Sequence, residues 1–350
     1  MRSTFATKTF AIHWSIVTGL FEENTGILGN EFWDPVTKRE FSSKTVTEAE
    51  WFSGDPVWSV ASKQGKKSCV SQWMGSGVKE WGDDRLPPDL LDPFVYSENV
   101  SSIHANLRVV EDFMQEQECD LSLLYFHEPD MSGHRVGAFS TGVRDTLSVL
   151  DSAFGAFFQR MASRLESANV ILLADHGMHN VSRILLLDQI LREPLDPLIE
   201  HADAGGVILQ VWPLAGSQDR VYQLLKSAES RSRSGGQPAF TVYLKADIPI
   251  RWHYTRHYRI APIVLVAEEG VHVWRTQQSW GPEPGDHGYD NEKEDMRPVF
   301  LARGPAFLPA SRLQQPLGLE NVFSLVCQLI GVTPPASNGS AAAFEAILRR

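Results

Sequence analysis

Residues 121–134 read LSLLYFHEPDMSGH, and residues 170–178 read VILLADHGM. In both stretches a short apolar run ends abruptly in polar residues, which is typical of a buried strand in a parallel sheet. Between the two runs, residues 138–165 carry apolar side chains at helical spacing, which predicts a crossover helix. Strand, helix and strand in this order predict the βαβ unit of an α/β sheet.

The rest of the chain extends this prediction. Further strands are expected at residues 261–267 and 299–302, and a late amphipathic helix at residues 320–332. Residues 31–100 are rich in Trp, Pro and Gly, and we expect them to form a loop-rich insertion near a pocket. Because no linker interrupts the pattern, the sequence predicts one α/β domain over residues 1–350.

The composition is that of a globular protein, with 43% hydrophobic and 21% charged residues, which excludes a disordered chain. The net charge is −11, from 32 Lys and Arg against 43 Asp and Glu. This balance argues against a nucleic-acid duplex as the partner, because contacts to the phosphate backbone need clustered cations. No apolar run approaches the ~18–20 residues of a membrane span, and no export signal is recognisable in the chain.

The cysteines Cys69, Cys119 and Cys327 lie far apart and show no CxxC spacing, so at most one disulfide is possible. A metal ion in this chain would therefore need histidine and carboxylate ligands. Three N-glycosylation sequons are also present, and their number alone is weak evidence for secretion. They begin at Asn99, Asn180 and Asn338.

Asp and His residues follow the predicted strands at the points where the strands end. The first strand runs into Asp130 and His134, the second runs into Asp175 and His176, and a later glycine-flanked loop carries His287. Open parallel sheets bind ligands at the carboxyl ends of their strands, so these side chains are expected at one edge. Carboxylate oxygen and imidazole nitrogen are the ligands of catalytic zinc. Each cluster alone is more often a turn or a helix cap, but the three together favour a metal site.

The N-terminal segment offers a nucleophile. Thr9 precedes an apolar helical pattern at residues 16–21. Its hydroxyl would therefore meet the unpaired N–H groups and the positive dipole end of a helix, which form a binding site for phosphate. The alternative is that Thr9 is an ordinary helix N-cap.

Longer motifs, in the same order, resemble the ectonucleotide pyrophosphatase/phosphodiesterase family of the alkaline phosphatase superfamily, most of all its members four and five. The matching stretches are TKTF at 7–10, EPDMSGH at 128–134, ADHGM at 174–178 and HGYDN at 287–291, with MRPVFLARGPAF at 296–307 as a supporting match. The resemblance covers nearly the whole chain. It implies an α/β, alkaline-phosphatase-like fold with a mostly parallel sheet flanked by helices.

Carried over by position, the resemblance implies two zinc ions. The implied ligands are Asp130, His134 and His287 for one ion, and Thr9, Asp175 and His176 for the other. Asn30 falls where the family places a residue that hydrogen-bonds the phosphoryl oxygen. Phe10, Trp73 and Tyr96 fall near positions that stack a base or shape the substrate pocket, and core packing is the alternative for these aromatic residues.

The chain departs from the family pattern at its start. The family begins with a strand that ends in an Asp-Gly pair, whose aspartate binds the same zinc as Thr9, whereas Met1 lies only eight residues before Thr9. The sheet is therefore expected to lack the family's first strand, and the second zinc to keep three ligands. We expect the sequence to be N-terminally incomplete, and impaired catalysis is the other interpretation.

These observations predict a zinc-dependent hydrolase of nucleotide phosphodiester or pyrophosphate bonds that forms a threonyl-phosphate intermediate on Thr9. Diadenosine polyphosphate or a dinucleotide such as NAD is the expected kind of substrate, and the resemblance implies an extracellular or cell-surface location. One alternative is a protein that binds a phosphate ligand or a protein partner without turnover. Another is a phosphatase, sulfatase or phosphomutase of the same superfamily, although a sulfatase needs cysteine or serine in place of Thr9.

Overall fold

Mixed sheets flanked by helices make up the fold in the computed structural model, which describes residues 1–94, 103–233, 236–278 and 283–349. The helices are α1 (Thr9–Thr18), α2 (Glu22–Thr25), α3 (Val57–Lys63), α4 (Ile103–Gln115), α5 (Asp130–Val136), α6 (Thr141–Arg160), α7 (Ala162–Leu165), α8 (Leu187–Ile190), α9 (Gln218–Arg231) and α10 (Asn321–Ile330). The strands are β1 (Phe32–Asp34), β2 (Arg39–Phe41), β3 (Ser68–Ser71), β4 (Leu90–Asp92), β5 (Leu121–Leu124), β6 (Val170–Leu173), β7 (His179–Asn180), β8 (Arg183–Leu186), β9 (Ile199–Ala202), β10 (Gly205–Gly206), β11 (Ile208–Pro213), β12 (Phe240–Leu244), β13 (Ile263–Ala267), β14 (Val271–Trp274), β15 (Gly285–Asp286) and β16 (Phe300–Arg303).

The elements predicted from apolar runs and helical spacing are present. The predicted strands correspond to β5, β6, β13 and β16, and the two predicted helices correspond to α6 with α7 and to α10. Helix α6 begins after Ser140, whose hydroxyl accepts a hydrogen bond from the Val143 N–H group. Helix α10 ends at Gly331, whose φ of 75° lies in the left-handed region that favours glycine.

The pairing of these strands differs from a simple βαβ unit. Strand β3 lies between β4 and β5 and is parallel to both, whereas β6 pairs antiparallel with β16. Within the part of the chain that the structure describes, β5 and β6 are not hydrogen-bonded to each other. A further parallel pair joins β8 and β14, and a four-stranded antiparallel sheet has the order β12–β13–β11–β9.

The segment predicted as a loop-rich insertion contributes to the sheet. It supplies α3, β3 and β4, and β3 is the middle strand of its sheet. The prediction of a loop-rich segment is therefore wrong for residues 57–63, 68–71 and 90–92. The strand Ser68–Ser71 reads SCVS, which is too short and too polar to stand out as a buried strand.

Helix α1 lies in the interior, and its position decides where the candidate site forms. All of its residues are buried, and Trp14 packs in a core that also contains Phe323 of α10. Strand β5 contributes Leu123 to this core and Leu124 to a second core under α4 and α6, as expected for alternating side chains. Tyr125, which directly follows β5, packs its ring against that of His13, so this part of the chain runs beside α1.

A disulfide joins Cys69 of β3 to Cys119, which lies just before β5, and Cys327 is a buried free thiol. One disulfide is the maximum that the sequence allows. Among the described residues, none of the helices combines the length and the apolar character needed to cross a membrane.

Candidate metal centre

The first part of the candidate site is formed by Asp130, His134 and His287. Asp130 begins α5 and His134 follows one turn later on the same face of the helix. Oδ1 of Asp130 lies 3.5 Å from Nε2 of His134 and 3.7 Å from Nε2 of His287. The three side chains each offer a ligand atom, and these atoms lie within 4.8 Å of one another. The structure therefore brings together one predicted set of zinc ligands.

Backbone carbonyl groups orient both imidazole rings of this first cluster. Nδ1 of His134 is 2.9 Å from the Gly285 carbonyl oxygen, and Nδ1 of His287 is 2.6 Å from the Thr7 carbonyl oxygen. A proton on Nδ1 satisfies each carbonyl and leaves Nε2 as the free lone pair beside Asp130. This is the tautomer that a metal-binding histidine needs.

The second part of the site is formed by Thr9, Asp175 and His176. Oγ1 of Thr9, at the start of α1, lies 3.3 Å from Nε2 of His176, and the same nitrogen lies 3.2 Å from Oδ2 of Asp175. The rings of His176 and His287 stack with their centroids 3.5 Å apart, which places the two clusters side by side. All six predicted metal ligands thus lie in one region, although their roles stay predictions.

Burial and neighbouring charges shift the pKa values of the three side chains in the first cluster. Shielding from water would raise the pKa of Asp130, but the imidazoles of His134 and His287 beside it hold it below its ordinary value. Burial would lower the pKa of His134, but the carboxylates of Asp130 and Glu283 raise it to about 10, so a metal ion would have to displace the Nε2 proton when it binds. Burial and the neighbouring His176 lower the pKa of His287 well below its usual value, so that ring is neutral.

Two carboxylate oxygens in the site are shielded from solvent and have no hydrogen-bond partner. They are Oδ1 of Asp130 and Oδ2 of Asp175, one in each cluster. Buried polar atoms are nearly always paired, and these two unpaired oxygens both lie next to imidazole nitrogens of the site, an arrangement that suits a bound cation. Carboxylates together with imidazoles that have free Nε2 atoms are the donor set of catalytic zinc. The residues present therefore fit the predicted metal.

A model of the type I phosphodiesterase/nucleotide pyrophosphatase family matches residues 1–290 of the chain. The chain belongs to this family. Human ectonucleotide pyrophosphatase/phosphodiesterase family member 5 is 33% identical over 345 residues, which cover 97% of this chain and 68% of the human protein. The bis(5'-adenosyl)-triphosphatase of Xenopus laevis is 30% identical over 355 residues, which cover 99% of this chain and 74% of the frog protein.

Solved structures give the same assignment. Human ectonucleotide pyrophosphatase/phosphodiesterase 5 superposes with a TM-score of 0.86 at 32% identity, over 99% of this chain and 90% of that chain. An inactive variant of the murine protein in complex with AMP, with threonine replaced by alanine, superposes with a TM-score of 0.85 at 31% identity, over 100% of this chain and 90% of that chain. The fold is the expected alkaline-phosphatase-like α/β fold, and this family member is a hydrolase of phosphodiester or pyrophosphate bonds.

The remaining predicted site residues surround the start of α1. Oδ1 of Asn30 accepts a hydrogen bond of 2.9 Å from the Phe10 N–H group, which places its amide beside Thr9. Phe10 and Trp73 are buried, with 6% and 7% of their surface exposed, so in this structure they contact protein rather than solvent. Tyr96 lies outside the described residues.

His13 is a site residue that the sequence reasoning did not identify. Its Nδ1 lies 2.7 Å from the Thr9 carbonyl oxygen and 3.5 Å from Oδ2 of Asp175. Its ring packs against Trp73 and Tyr125, and only 4% of the residue is exposed. His13 thus links helix α1, which carries Thr9, to a predicted ligand. The i, i+4 spacing from Thr9 on one helix face was the available signal.

Asp286 is a second supporting residue that the sequence reasoning missed. Oδ1 of Asp286 accepts a hydrogen bond of 2.7 Å from the His287 N–H group and lies 3.2 Å from Nζ of Lys8. Oδ2 of Asp286 lies 2.8 Å from Nε2 of His272. Burial would raise the pKa of Asp286, but Lys8 and His272 hold it well below its usual value. This charged residue fixes the loop that carries His287.

Proposed function

We propose that this chain is a zinc-dependent hydrolase of nucleotide phosphodiester or pyrophosphate bonds in which Thr9 is the nucleophile. The observation that carries the proposal is the position of the Thr9 hydroxyl. It lies at the N-terminus of the buried helix α1, 3.3 Å from His176, next to a carboxylate whose Oδ2 has no partner. Asp130, His134 and His287 would hold one zinc ion, and Thr9 with Asp175 and His176 would hold the other.

When bound, zinc supplies Lewis-acid stabilisation for a deprotonated hydroxyl and for the charge on the phosphoryl group. The protein's own part is to orient Thr9 for attack on phosphorus. Oγ1 of Thr9, after losing its proton to water, would form a bond to phosphorus while the bond to the leaving group breaks on the opposite side, and the leaving group would depart with that electron pair. Water then cleaves the threonyl-phosphate bond and restores the hydroxyl.

The first turn of α1 is arranged to hold the phosphoryl oxygens. Lys8 is the N-cap residue and makes no side-chain hydrogen bond to the helix, and among the first N–H groups that of Phe10 is capped by Oδ1 of Asn30. Asn30 is held against this turn by its hydrogen bond to the Phe10 N–H group. Its amide N–H groups would donate to a non-bridging oxygen, a contribution of about 3 kcal/mol to transition-state binding.

The substrate class proposed here is a nucleotide joined through a phosphodiester or pyrophosphate bond. The complex of the murine relative contains AMP, and the frog relative is named for bis(5'-adenosyl) triphosphate. Diadenosine polyphosphates and dinucleotides such as NAD contain this chemistry. Phe10, Trp73 and Tyr96 stay the predicted contacts to the base, and Phe94 adds a ring whose centroid is 5.6 Å from that of Phe10.

The nucleophile is tested by Thr9→Ala beside Thr9→Ser as the matched control. With a p-nitrophenyl nucleotide ester, we expect Thr9→Ala to lower kcat by at least about 1,000-fold, and Thr9→Ser to keep measurable turnover. Asn30→Ala should lower kcat by about 100-fold with unchanged zinc content. Full turnover by Thr9→Ala would show that Thr9 is not the nucleophile.

Binding without turnover is the second candidate function, and one observation favours it. Among the described residues, Asp175 and His176 have no third histidine or carboxylate placed to share a metal ion with them. The second zinc would then depend on the Thr9 hydroxyl. Elemental analysis of the wild type and Asp130→Asn, together with an activity assay, separates the candidates: a single zinc at this centre with nucleotide binding and no hydrolysis supports binding, and turnover supports the enzyme.

We also propose that residues 1–350 form a single catalytic domain that works outside the cell or at its surface. The Cys69–Cys119 disulfide supports this location, because disulfides persist in oxidising compartments. The sequon at Asn338 is exposed, whereas Asn180 is only partly exposed. When the protein is expressed through the secretory pathway, Asn338→Gln should remove glycan mass; an unchanged mass would contradict glycosylation at Asn338.

A further inference from the structure

Three side chains outside the proposed catalytic centre lie close to one another near the turn that carries His176. They are His179 of β7, Glu269 of the turn between β13 and β14, and Asp295 of the 3-10 turn Glu294–Met296. Each offers a ligand atom, and the three atoms lie within 4.8 Å of one another. All three residues are partly buried.

The main chain, rather than flexible side chains, brings these three residues together. Strand β7 pairs antiparallel with β15, and the Ser182 N–H group donates to the Gly270 carbonyl oxygen at 2.9 Å. The Gly177 N–H group donates to the Met296 carbonyl oxygen at 3.1 Å. A Cβ atom on Gly270 would lie 3.4 Å from Cδ2 of His179, so the backbone after Glu269 rests against the imidazole ring. The arrangement is therefore preorganised.

The chemistry of the group suits a divalent transition-metal ion. Nδ1 of His179 lies 2.6 Å from Oδ2 of Asp295, which holds the ring in a fixed orientation. Glu269 faces Nζ of Lys293 at 3.4 Å, which is longer than an ordinary hydrogen bond. One imidazole and two carboxylates neutralise a 2+ charge and match the nitrogen and oxygen ligands of zinc. Partial exposure leaves room for water as a further ligand.

We propose that His179, Glu269 and Asp295 bind a zinc ion at a site separate from the Thr9 centre. In the metal-free protein, Lys293 supplies the positive charge next to Glu269, and the bound ion replaces it. The ion joins three segments of the chain, one of which contains Asp175 and His176 three or four residues before His179. Its role is therefore structural, because it fixes the turn on which two catalytic ligands lie.

The test compares His179→Gln with His201→Gln. His201 is a matched control because it also faces an aspartate, with Nε2 3.7 Å from Oδ1 of Asp203, and its side chain is similarly exposed. Each protein is stripped with a chelator, reloaded with zinc, dialysed and analysed for zinc per chain and for thermal unfolding. We expect His179→Gln to bind one zinc fewer than the wild type and to lose part of the zinc-induced rise in Tm. His201→Gln should match the wild type in both.

Asp295→Asn is the second variant, in case His179→Gln does not fold, and it should also lose one zinc per chain. Equal zinc content in the wild type and in the folded variants would overturn the proposal. The same holds if the additional zinc leaves the wild type during dialysis. Because every variant keeps the ligands of the Thr9 centre, the difference in zinc does not depend on how many ions that centre holds.

Discussion

Asp34 and Asp175 are both shielded carboxylates, but their surroundings differ. Oδ1 of Asp34 accepts hydrogen bonds from the Val36 and Thr37 N–H groups at 2.8 and 3.0 Å. Its Oδ2 accepts from the Tyr258 hydroxyl and from Nε of Arg259, both at 2.7 Å. Oδ2 of Asp175, by contrast, has no hydrogen-bond partner. The site around Asp34 is complete without a ligand, and the site around Asp175 is not.

The difference separates a structural network from a binding site. Arg259 is 5% exposed, and beyond Asp34 it donates to the carbonyl oxygens of Gly26, Glu50 and Trp51. Its guanidinium also lies 4.9 Å from the centre of the Trp51 ring. A network in which the polar atoms are hydrogen-bonded to one another stabilises the fold. A carboxylate with an unpaired oxygen is instead stabilised when a cation binds to it.

Metal removal should give the largest effect in this comparison. A chelator should lower hydrolysis by at least about 1,000-fold, because the charge on the phosphoryl group loses a stabilisation of several kcal/mol. Asp130→Asn should lower hydrolysis by a similar factor and should lose zinc, whereas Asp34→Asn should keep its zinc. Elemental analysis and initial rates measure both quantities. Full activity after complete removal of metal would contradict the distinction between a structural network at Asp34 and a metal site at Asp175.

Breaking the Asp34 network should mainly affect stability. Arg259→Met leaves Asp34 buried without its charge partner, so we expect the free energy of unfolding to fall by about 3–5 kcal/mol. Arg256→Met is the control, because the Arg256 side chain is 78% exposed and its change should stay within about 0.5 kcal/mol. Urea unfolding in the presence of chelator measures both. Similar losses in the two variants would show that the network is not stabilising.

The free energy of unfolding should depend on pH because the pKa of Asp34 is lowered in the folded protein. Burial would raise its pKa, but hydrogen bonds from Thr37, Tyr258, Arg259 and Val36 lower it to about 2. Since the unfolded carboxyl has a pKa near 4, this contribution is present above pH ~4 and is lost as the pH falls through 2. The loss should be about 2 kcal/mol in the wild type and absent in Asp34→Asn. Parallel pH curves from pH 4 to pH 2 would contradict this assignment.

Among these changes, Asp175→Asn should have the smallest effect on the free energy of unfolding when metal is absent. The substitution removes a shielded charge that has an unpaired oxygen, so the metal-free protein should keep its stability or gain about 1 kcal/mol. Asp34→Asn should destabilise the protein under the same conditions. Thermal unfolding in chelator compares the two directly. Equal destabilisation would mean that Asp175 also stabilises the fold without a ligand.

The predicted metal ligands could be found in the sequence because four of them directly follow apolar strands. The residues Asp130 and His134 follow β5, and Asp175 and His176 follow β6, so the local pattern of an apolar run ending in polar residues was sufficient to find them. The α/β class followed from the same two runs, but the predicted pairing did not, because β6 pairs antiparallel with β16. His287 needed its glycine-flanked loop as an additional signal.

Contacts between distant segments could not be predicted in this way. Asp34 and Arg259 are 225 residues apart, and neither lies in a motif that indicates a partner. Strand β3 was missed because its own sequence is too polar to indicate a buried strand. It is buried because it lies between two other strands of its sheet. The group around His179 is likewise formed by tertiary contacts alone.

Cys69 and Cys119 are 50 residues apart, and the chain between them forms a covalent ring that contains β4, Phe94 and α4. A protease that cuts this ring once opens it without releasing a fragment. The two pieces therefore migrate together in electrophoresis until a reductant separates them. Strands β3 and β5 stay tethered next to each other after such a cut, so the strand that leads into Asp130 keeps its neighbour.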